Sequence, residues 1–292
     1  MIPPSFEYAA PTSLSEALSL LKGGDDAKVL AGGQSLIPLL KLRLASPTRL
    51  VDINGIPGLE YIRESGGYLR MGALTRMADL EASDLIMKRY PIIHDASVEI
   101  ADPTVRNLGT VGGNISHGDP ANDLPAIMLA LEAEFVAEGG SGSRTMKAEG
   151  FFVDTFTTAL NHNEILTEIR VPMASPRSGG SYLKLEKRIG DFAIAGSAVQ
   201  LSLNSRGECE RLGVGLTAVG PTAIKAKKAE EALKGKKLTD EGAIRRVGEL
   251  AAEAASPTTD LRGPADYKKE MVKVLTIRSL KRAYQRAQRG GM

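Results

Sequence analysis

A chain of 292 residues with 42% hydrophobic content can bury a substantial core and is long enough for two domains. Its 37 basic and 35 acidic residues leave a formal charge of +2, too little to attract nucleic acid or an anionic membrane through an overall field. Nor is there a run of about 18 apolar residues to span a bilayer. Cys209 is the lone cysteine, which excludes an internal disulfide and any iron–sulfur cluster held by this chain's cysteines alone, and the three histidines lack metal-ligand spacing. The N-terminal segment lacks the basic and apolar regions of a signal peptide, so the expectation is a soluble, cytoplasmic protein.

In chain order, Ser13-Leu14-Ser15-Glu16 reads as a capping box, and Leu14, Ala17, Leu18 and Leu21 then recur at helical spacing up to Gly23-Gly24. Lys28-Val29-Leu30 reads as a buried strand delivering the loop Ala31-Gly32-Gly33-Gln34-Ser35-Leu36, after which Ile37-Pro38-Leu39-Leu40 starts a helix. With the apolar segment Leu50-Val51-Asp52-Ile53 this makes a βαβ-like nucleus of a first subdomain, ended by Gly55 to Gly58. From about Leu59 to Pro172, strand-like pieces such as Tyr68 to Gly72 mix with helices at Thr75 to Ala82 and Asn122 to Leu131. This α+β subdomain carries a second glycine loop, Thr110-Val111-Gly112-Gly113-Asn114. Residues 174–180 have linker composition and mark a domain boundary. Strands near Tyr182 to Arg188, Ser197 to Leu203 and Arg211 to Val219 follow, then helices from Ala223, Thr239 and Ala265, the order of a separate α+β domain. The expected division is 1–175, with subdomains of about 1–57 and 58–175, and 176–292.

Each glycine pair sits beside small hydrogen-bonding side chains, a composition that lets successive backbone N–H groups approach an anion. Two such loops could grip a pyrophosphate from both sides, as FAD or NAD requires; tight turns after strands are the plainer alternative. Gly213-Val214-Gly215 lacks the G-x-G-x-x-G spacing and reads as strand and turn, so no Rossmann fingerprint is present.

The stretches VRNLGTVGGNISHGDPANDLP and AGGQSLIPLLKLRLASPTRLVDI resemble the FAD-binding medium subunit of the molybdenum hydroxylases, the family that includes carbon monoxide dehydrogenase and xanthine dehydrogenase. YLKLEKRIGDFAIAGSAVQL and DLRGPADYKKEMVKVL resemble its C-terminal flavoprotein domain, so the likeness spans nearly the whole chain. The resemblance implies an α+β fold of the vanillyl-alcohol oxidase and p-cresol methylhydroxylase type, with FAD between two subdomains, followed by an α+β C-terminal domain. It also implies partners: a small subunit with two [2Fe–2S] clusters and a large subunit with the molybdenum cofactor. Electrons would pass from the clusters through FAD to an external acceptor, with no catalytic acid, base or nucleophile of this chain acting on the organic substrate. The cysteine-bearing insertion that holds a [4Fe–4S] cluster in some relatives is missing. A self-sufficient FAD oxidoreductase and a flavin-free assembly protein are the competing readings.

Carried over residue by residue, the resemblance makes Lys28, Val29, Leu30, Ala31, Gly32, Gly33, Gln34, Ser35 and Leu36 line the FAD, with the N–H groups of Gly32 to Ser35 on the pyrophosphate. Gln34 stands where relatives often carry histidine or asparagine. In the second motif Thr110, Gly112, Gly113 and Asn114 offer a hydroxyl and an amide to phosphate and ribityl oxygens, and His117 and Asp119 lie on the same pass. Asp123 matches a cofactor contact and equally fits a helix N-cap. Ile100 and Ala101 match positions flanking the ring, and Ile165 and Leu166 match positions near the flavin that would otherwise read as core. Tyr182 and Lys184 share one strand face; Lys184 either tunes the flavin electrostatically or is a solvated edge residue. Arg188 and Asp191 are expected to pair. The basic runs at 225–237 and 278–284 lack interleaved aromatics and read as solvated helix faces, the last helix burying Val274, Leu275 and Leu280 in its own core or against a partner.

Overall fold

The computed structural model describes residues 2–22 and 26–289, so the expected helix end at Gly23-Gly24 lies outside the described residues. The first unit contains β1 (Glu7–Ala9), α1 (Leu14–Leu21), β2 (Ala27–Leu30), α2 (Leu36–Lys41) and β3 (Arg49–Asp52). Its strands form a parallel sheet in the order β1-β3-β2, with Lys28 opposite Leu50 and Leu30 opposite Asp52. The βαβ reading holds because a short apolar strand, a tight turn and a helix are all local signals. Ser13 caps α1 by accepting from the Glu16 N–H, and Ala17 and Leu21 bury against Val51 and Ile53.

The second unit is built on a five-stranded antiparallel sheet. It comprises β4 (Ile62–Ser65), β5 (Tyr68–Gly72), α3 (Met77–Ala82), α4 (Asp84–Arg89), α5 (Pro91–Ser97), α6 (Pro103–Leu108), α7 (Val111–His117), α8 (Asp123–Ala130), β6 (Glu134–Gly139), β7 (Gly142–Lys147), β8 (Phe152–Asp154), β9 (Thr157–Thr158) and β10 (Ile165–Pro172). The sheet order is β4-β5-β10-β6-β7, so the last strand closes the unit by inserting at its centre. Helices α4, α5 and α6 have no counterpart in the sequence expectation.

The third unit contains β11 (Ser178–Leu185), β12 (Ala195–Leu203), β13 (Cys209–Thr217), β14 (Ile224–Lys225), α9 (Lys227–Leu233), α10 (Glu241–Ala254) and α11 (Ala265–Arg289). Its strands run antiparallel in chain order. Ser178, Gly179 and Gly180, expected in a linker, are strand residues. A Cβ on Gly179 would stand 2.1 Å from the Ala283 carbonyl oxygen, so glycine here admits a helix rather than a bend. The helix expected from Ala223 starts later, because Ile224 and Lys225 first pair with β13. Gly213-Val214-Gly215 is strand throughout. Burial pushes the Cys209 thiol up to about 11, which keeps it protonated. Leu275 and Leu280 bury in α11's own core with Val272. No helix among the described residues is long and apolar enough to cross a membrane.

The third sheet is covered on both faces. One face takes α11 and α9, on which α10 packs; the other takes α8 and α5 of the second unit. Accordingly β12 is buried along almost its whole length, and every residue of α8 is buried. Helix α8 lies so close to β13 that Cβ atoms on Gly213 and Gly215 would fall 2.0 and 1.9 Å from the carbonyl oxygens of Ala130 and Ala126. Gly215→Ala therefore drives a methyl into helix backbone and is expected to destabilise the protein by about 3 kcal/mol, read as a lower midpoint in chemical denaturation.

Candidate functional site

The first glycine motif leaves β2 as a bare turn. Gly33 takes φ +72°, a left-handed conformation that suits glycine, and Ser35 enters α2 without a side-chain cap. The carbonyls of Gly33 and Ser35 accept from Ile37 and Leu39, but the N–H groups of Gly32, Gly33, Gln34, Ser35 and Leu36 donate to no described residue. Five consecutive donors thus have no acceptor among the described residues in a largely half-buried turn, an arrangement suited to a multiply charged anion.

The second motif behaves differently. Rather than a loop, it is the first turn of α7, capped by Thr110, whose Oγ1 accepts from the Gly113 N–H at 3.1 Å. Val111 and Gly112 donate to the carbonyls of Thr75 and Ala73, and Asn114 donates to Thr110 O. No backbone donor from Val111 to Asn114 is left for phosphate, which corrects the expectation of a two-sided backbone grip. Gly112 is glycine because a Cβ there would lie 2.5 Å from that of Ala73. The motif instead offers side chains, above all the buried Asn114 Oδ1, which has no partner.

The two motifs meet. A Cβ on Gly32 would stand 2.2 Å from Leu108 O, and one on Gly113 would stand 4.0 Å from that of Ala31. Two side chains outside the sequence expectation staple the junction. Asn54 Nδ2 donates to Ala31 O at 2.8 Å, and Arg76 donates to Leu108 O at 2.5 Å and to Asn54 Oδ1 at 2.9 Å. Of the residues before the turn, Lys28 is exposed, whereas Val29 and Ala31 pack on the first core and Leu30 is half-buried.

A second cluster joins α8 to β11, linked to the first by Asn122 Nδ2 donating to Asn114 O at 3.0 Å. Asp123, 6% exposed, accepts from the Tyr182 hydroxyl at 2.5 Å and from Lys184 Nζ at 3.4 Å. Tyr182 and Lys184 therefore share a face as expected, and Lys184 is no solvated edge residue: its side chain is 2% exposed. Lys184 also donates to the carbonyls of Glu99, at 2.8 Å, and Asp191, at 3.1 Å. The N-cap of α8 is Asn122, with Asp123 the first helical residue, so the capping alternative for Asp123 fails. Burial pushes its carboxyl up against the opposing pull of Lys184 and Tyr182, and burial raises Tyr182 as well.

Ile100 and Ala101 form a bend beside this cluster, with Ala101 at φ +47°. Arg106, buried and paired with Glu81, clamps the bend by donating to the carbonyls of both residues, at 3.0 and 3.1 Å. His117 leans on the Phe156 ring at 5.1 Å, and burial lowers its pKa, favouring the neutral imidazole. Asp119 Oδ1 accepts from the Ala121 N–H, shaping the turn into α8. Ile165 and Leu166 are core residues, the first packed in the cluster of Val51 and Leu74, the second in the core of the second unit. Arg188 and Asp191 are joined by a backbone bond, Asp191 N–H to Arg188 O, and form no side-chain ion pair among the described residues. That corrects the expected pair.

The profile of the FAD-binding domain of molybdopterin dehydrogenases matches residues 4–174, and that of the CO dehydrogenase flavoprotein C-terminal domain matches residues 180–283. This chain belongs to the FAD-binding medium-subunit family of the molybdenum hydroxylases. The carbon monoxide dehydrogenase medium chain of Hydrogenophaga pseudoflava is 46% identical over 98% of this chain and 99% of its own. The glyceraldehyde dehydrogenase medium chain of Sulfolobus acidocaldarius is 40% identical over 96% and 99%. The structure of reconstituted CO dehydrogenase from Oligotropha carboxidovorans superimposes with a TM-score of 0.95, at 42% identity, over 98% of this chain and 100% of that one. The medium subunit is accordingly an FAD-binding oxidoreductase component, and the free donors of the turn together with the unpartnered Asn114 Oδ1 fit that cofactor.

Sequence reasoning missed Asn54, Arg76, Arg106 and Glu99. Arg106 lies inside a quoted motif, but nothing local says that its guanidinium turns back on Ile100 and Ala101. Burial pushes the Glu99 carboxyl up to about 7. A proton held in the folded state stabilises the fold below the ordinary carboxylate range, and that contribution is lost as pH rises through the raised value. Wild-type stability is therefore expected to fall relative to Glu99→Gln as pH rises from about 4.5 to about 7, measured as denaturation midpoints across that range.

Proposed function

We propose that this subunit carries electrons from the iron–sulfur clusters of a small partner subunit, through FAD, to an external acceptor, in an assembly whose large subunit holds the molybdenum cofactor. The open row of N–H groups from Gly32 to Leu36 carries the site assignment. It supplies aligned donors to a pyrophosphate without any lysine or arginine, and Gly32 presses it against the second motif. In this reading Asn114 and Thr110 address phosphate or ribityl oxygens. Ile100, Ala101, Ile165 and Leu166 flank the ring, and Lys28 to Ala31, Gln34, His117, Asp119 and Asp123 complete the lining. Lys184, held between Asp123 and two carbonyls, sets a fixed positive charge on the flavin side, with Tyr182 holding the same carboxylate.

FAD supplies the redox chemistry when bound; the chain's residues orient it and set its field. With no nucleophile or general base assigned to an organic substrate, the acceptor and the iron–sulfur donor are the only reaction partners this subunit requires. Gly32→Ala, which forces apart the two motifs, is expected to weaken FAD binding by at least about tenfold, roughly 1.4 kcal/mol, while far-ultraviolet circular dichroism stays that of the wild type. The check is titration of FAD-free protein with FAD, followed by fluorescence. Unchanged affinity would remove the pyrophosphate from this turn. Direct reduction of the FAD-loaded lone chain by a small organic substrate would favour a self-sufficient oxidoreductase instead.

A further inference from the structure

Around Lys184 the carboxylates outnumber the cations. Asp123 Oδ2 lies 3.4 Å from Nζ and Glu186 Oε2 lies 3.2 Å from it, while Glu99 gives its backbone carbonyl. Three ionised carboxylates about one ammonium would leave a net double negative charge in a largely buried cluster, a costly arrangement. One proton relieves most of that cost. Asp123 has donors on both oxygens, from Tyr182 and Lys184, so its ionised form is the better served. Glu99 Oε2 and Glu186 Oε2 are both buried without a hydrogen-bond partner, but Glu186 Oε2 has the Lys184 ammonium at 3.2 Å and the Glu99 carboxyl forms no ion pair among the described residues.

The other charged groups facing Glu99 do not supply the missing cation. Asp95, on α5, is matched by Arg282 at 3.0 Å and Arg286 at 2.6 Å from α11, and so adds no unpaired positive charge. Glu186, just after β11, Asp123 on α8 and Asp95 on α5 all oppose its ionisation, whereas Lys184 favours it. Glu99 is only half-buried and follows the exposed Val98, so its carboxyl has a route to solvent protons. It also directly precedes the clamped Ile100-Ala101 bend.

We propose that Glu99 is a positioning residue for the flavin: it holds the spare proton of the Asp123–Lys184–Glu186 cluster and exchanges that proton with solvent as the charge on bound FAD changes. The inference rests on the reading that FAD lies against Ile100, Ala101 and Lys184. When two electrons and one proton arrive on the flavin from a one-electron iron–sulfur carrier or a chemical reductant, one negative charge is added beside the cluster. Near and above the pH at which Glu99 releases its proton while FAD is oxidised, the added charge draws the proton back: ionised Glu99 takes one proton from water to become the neutral acid, and returns it when the electrons leave for the acceptor.

The test compares FAD-loaded wild type, Glu99→Gln and Glu99→Asp by dithionite titration, reading the flavin midpoint potential from about pH 5 to about pH 9. The wild type is expected to show an added proton uptake per two electrons near neutrality, Glu99→Gln to lose it, and Glu99→Asp, which keeps an ionisable group, to retain it. Equal FAD content in the three proteins separates this from loss of binding. A Glu99→Gln profile that overlays the wild type overturns the proposal. Infrared spectra of FAD-free protein provide a second reading: a carboxylic-acid carbonyl band that disappears as pH rises through about 7 in wild type and is missing from Glu99→Gln supports it, and absence of such a band in wild type, or its persistence in Glu99→Gln, overturns it. If the wild type takes up no FAD, the site assignment fails while the infrared result still decides where the proton resides.

Discussion

The close contact between α8 and β13 fixes where the chemistry of this subunit lies. Because Gly213 and Gly215 let helix backbone rest on strand backbone, the turn before α8 reaches the end of β13 and is stitched there. Thr217 Oγ1 donates to the carbonyls of Pro120 and Asn122, at 3.0 and 2.5 Å, and the Ala218 N–H donates to Pro120 O. Asp123 then emerges opposite β11, within reach of Tyr182 and Lys184. The carboxylate comes from one unit and both of its donors from the other, so neither unit alone could hold it paired. A methyl group at either glycine would shift the helix and with it the carboxylate.

A second consequence concerns the division of labour between the glycine motifs. The long row of backbone donors without acceptors among the described residues lies in the first, where a turn followed by a short helix leaves N–H groups without intrahelical partners. In the second, the carbonyls of Ala73, Thr75 and Thr110 and the Thr110 hydroxyl take the donors from Val111 to Asn114, and Gly112 serves close packing. The junction is therefore asymmetric. Backbone from one side can meet the charge of a pyrophosphate, while the other side supplies amide and hydroxyl side chains and a rigid wall. Arg76 and Asn54 hold the two sides together through bonds to Leu108 O, Ala31 O, Asp52 Oδ1 and each other.

Charge distribution around Lys184 follows a similar logic of exhaustion. Every polar contact that Lys184 makes is to an oxygen of Asp123, Glu186, Glu99 or Asp191, and Asp95 nearby is fully matched by two arginines. The cluster therefore has one lysine among several carboxyls, and burial opposes ionisation of both Asp123, which keeps donors on its two oxygens, and Glu99, whose Oε2 has none. Such a site responds to added charge by moving a proton rather than by moving structure.

The sequence by itself determined the elements whose signals are local. The first strand, turn and helix, the capped α1, the open third sheet followed by helices, and the family resemblance are all legible because apolar spacing, caps and long motifs are properties of contiguous residues. Tertiary structure alone decided what those residues bond to. The Thr110 motif looks like a phosphate loop until Ala73 and Thr75 are brought beneath it by the central sheet, and residues 178–180 look like linker until α11 packs on Gly179. Asn54, Arg76 and Arg106 carry no local signal because Ala31, Leu108 and Glu81, which they bond, lie 22 or more residues away along the chain, and Glu99 carries none because its surroundings, Lys184 and Glu186, come from the third unit.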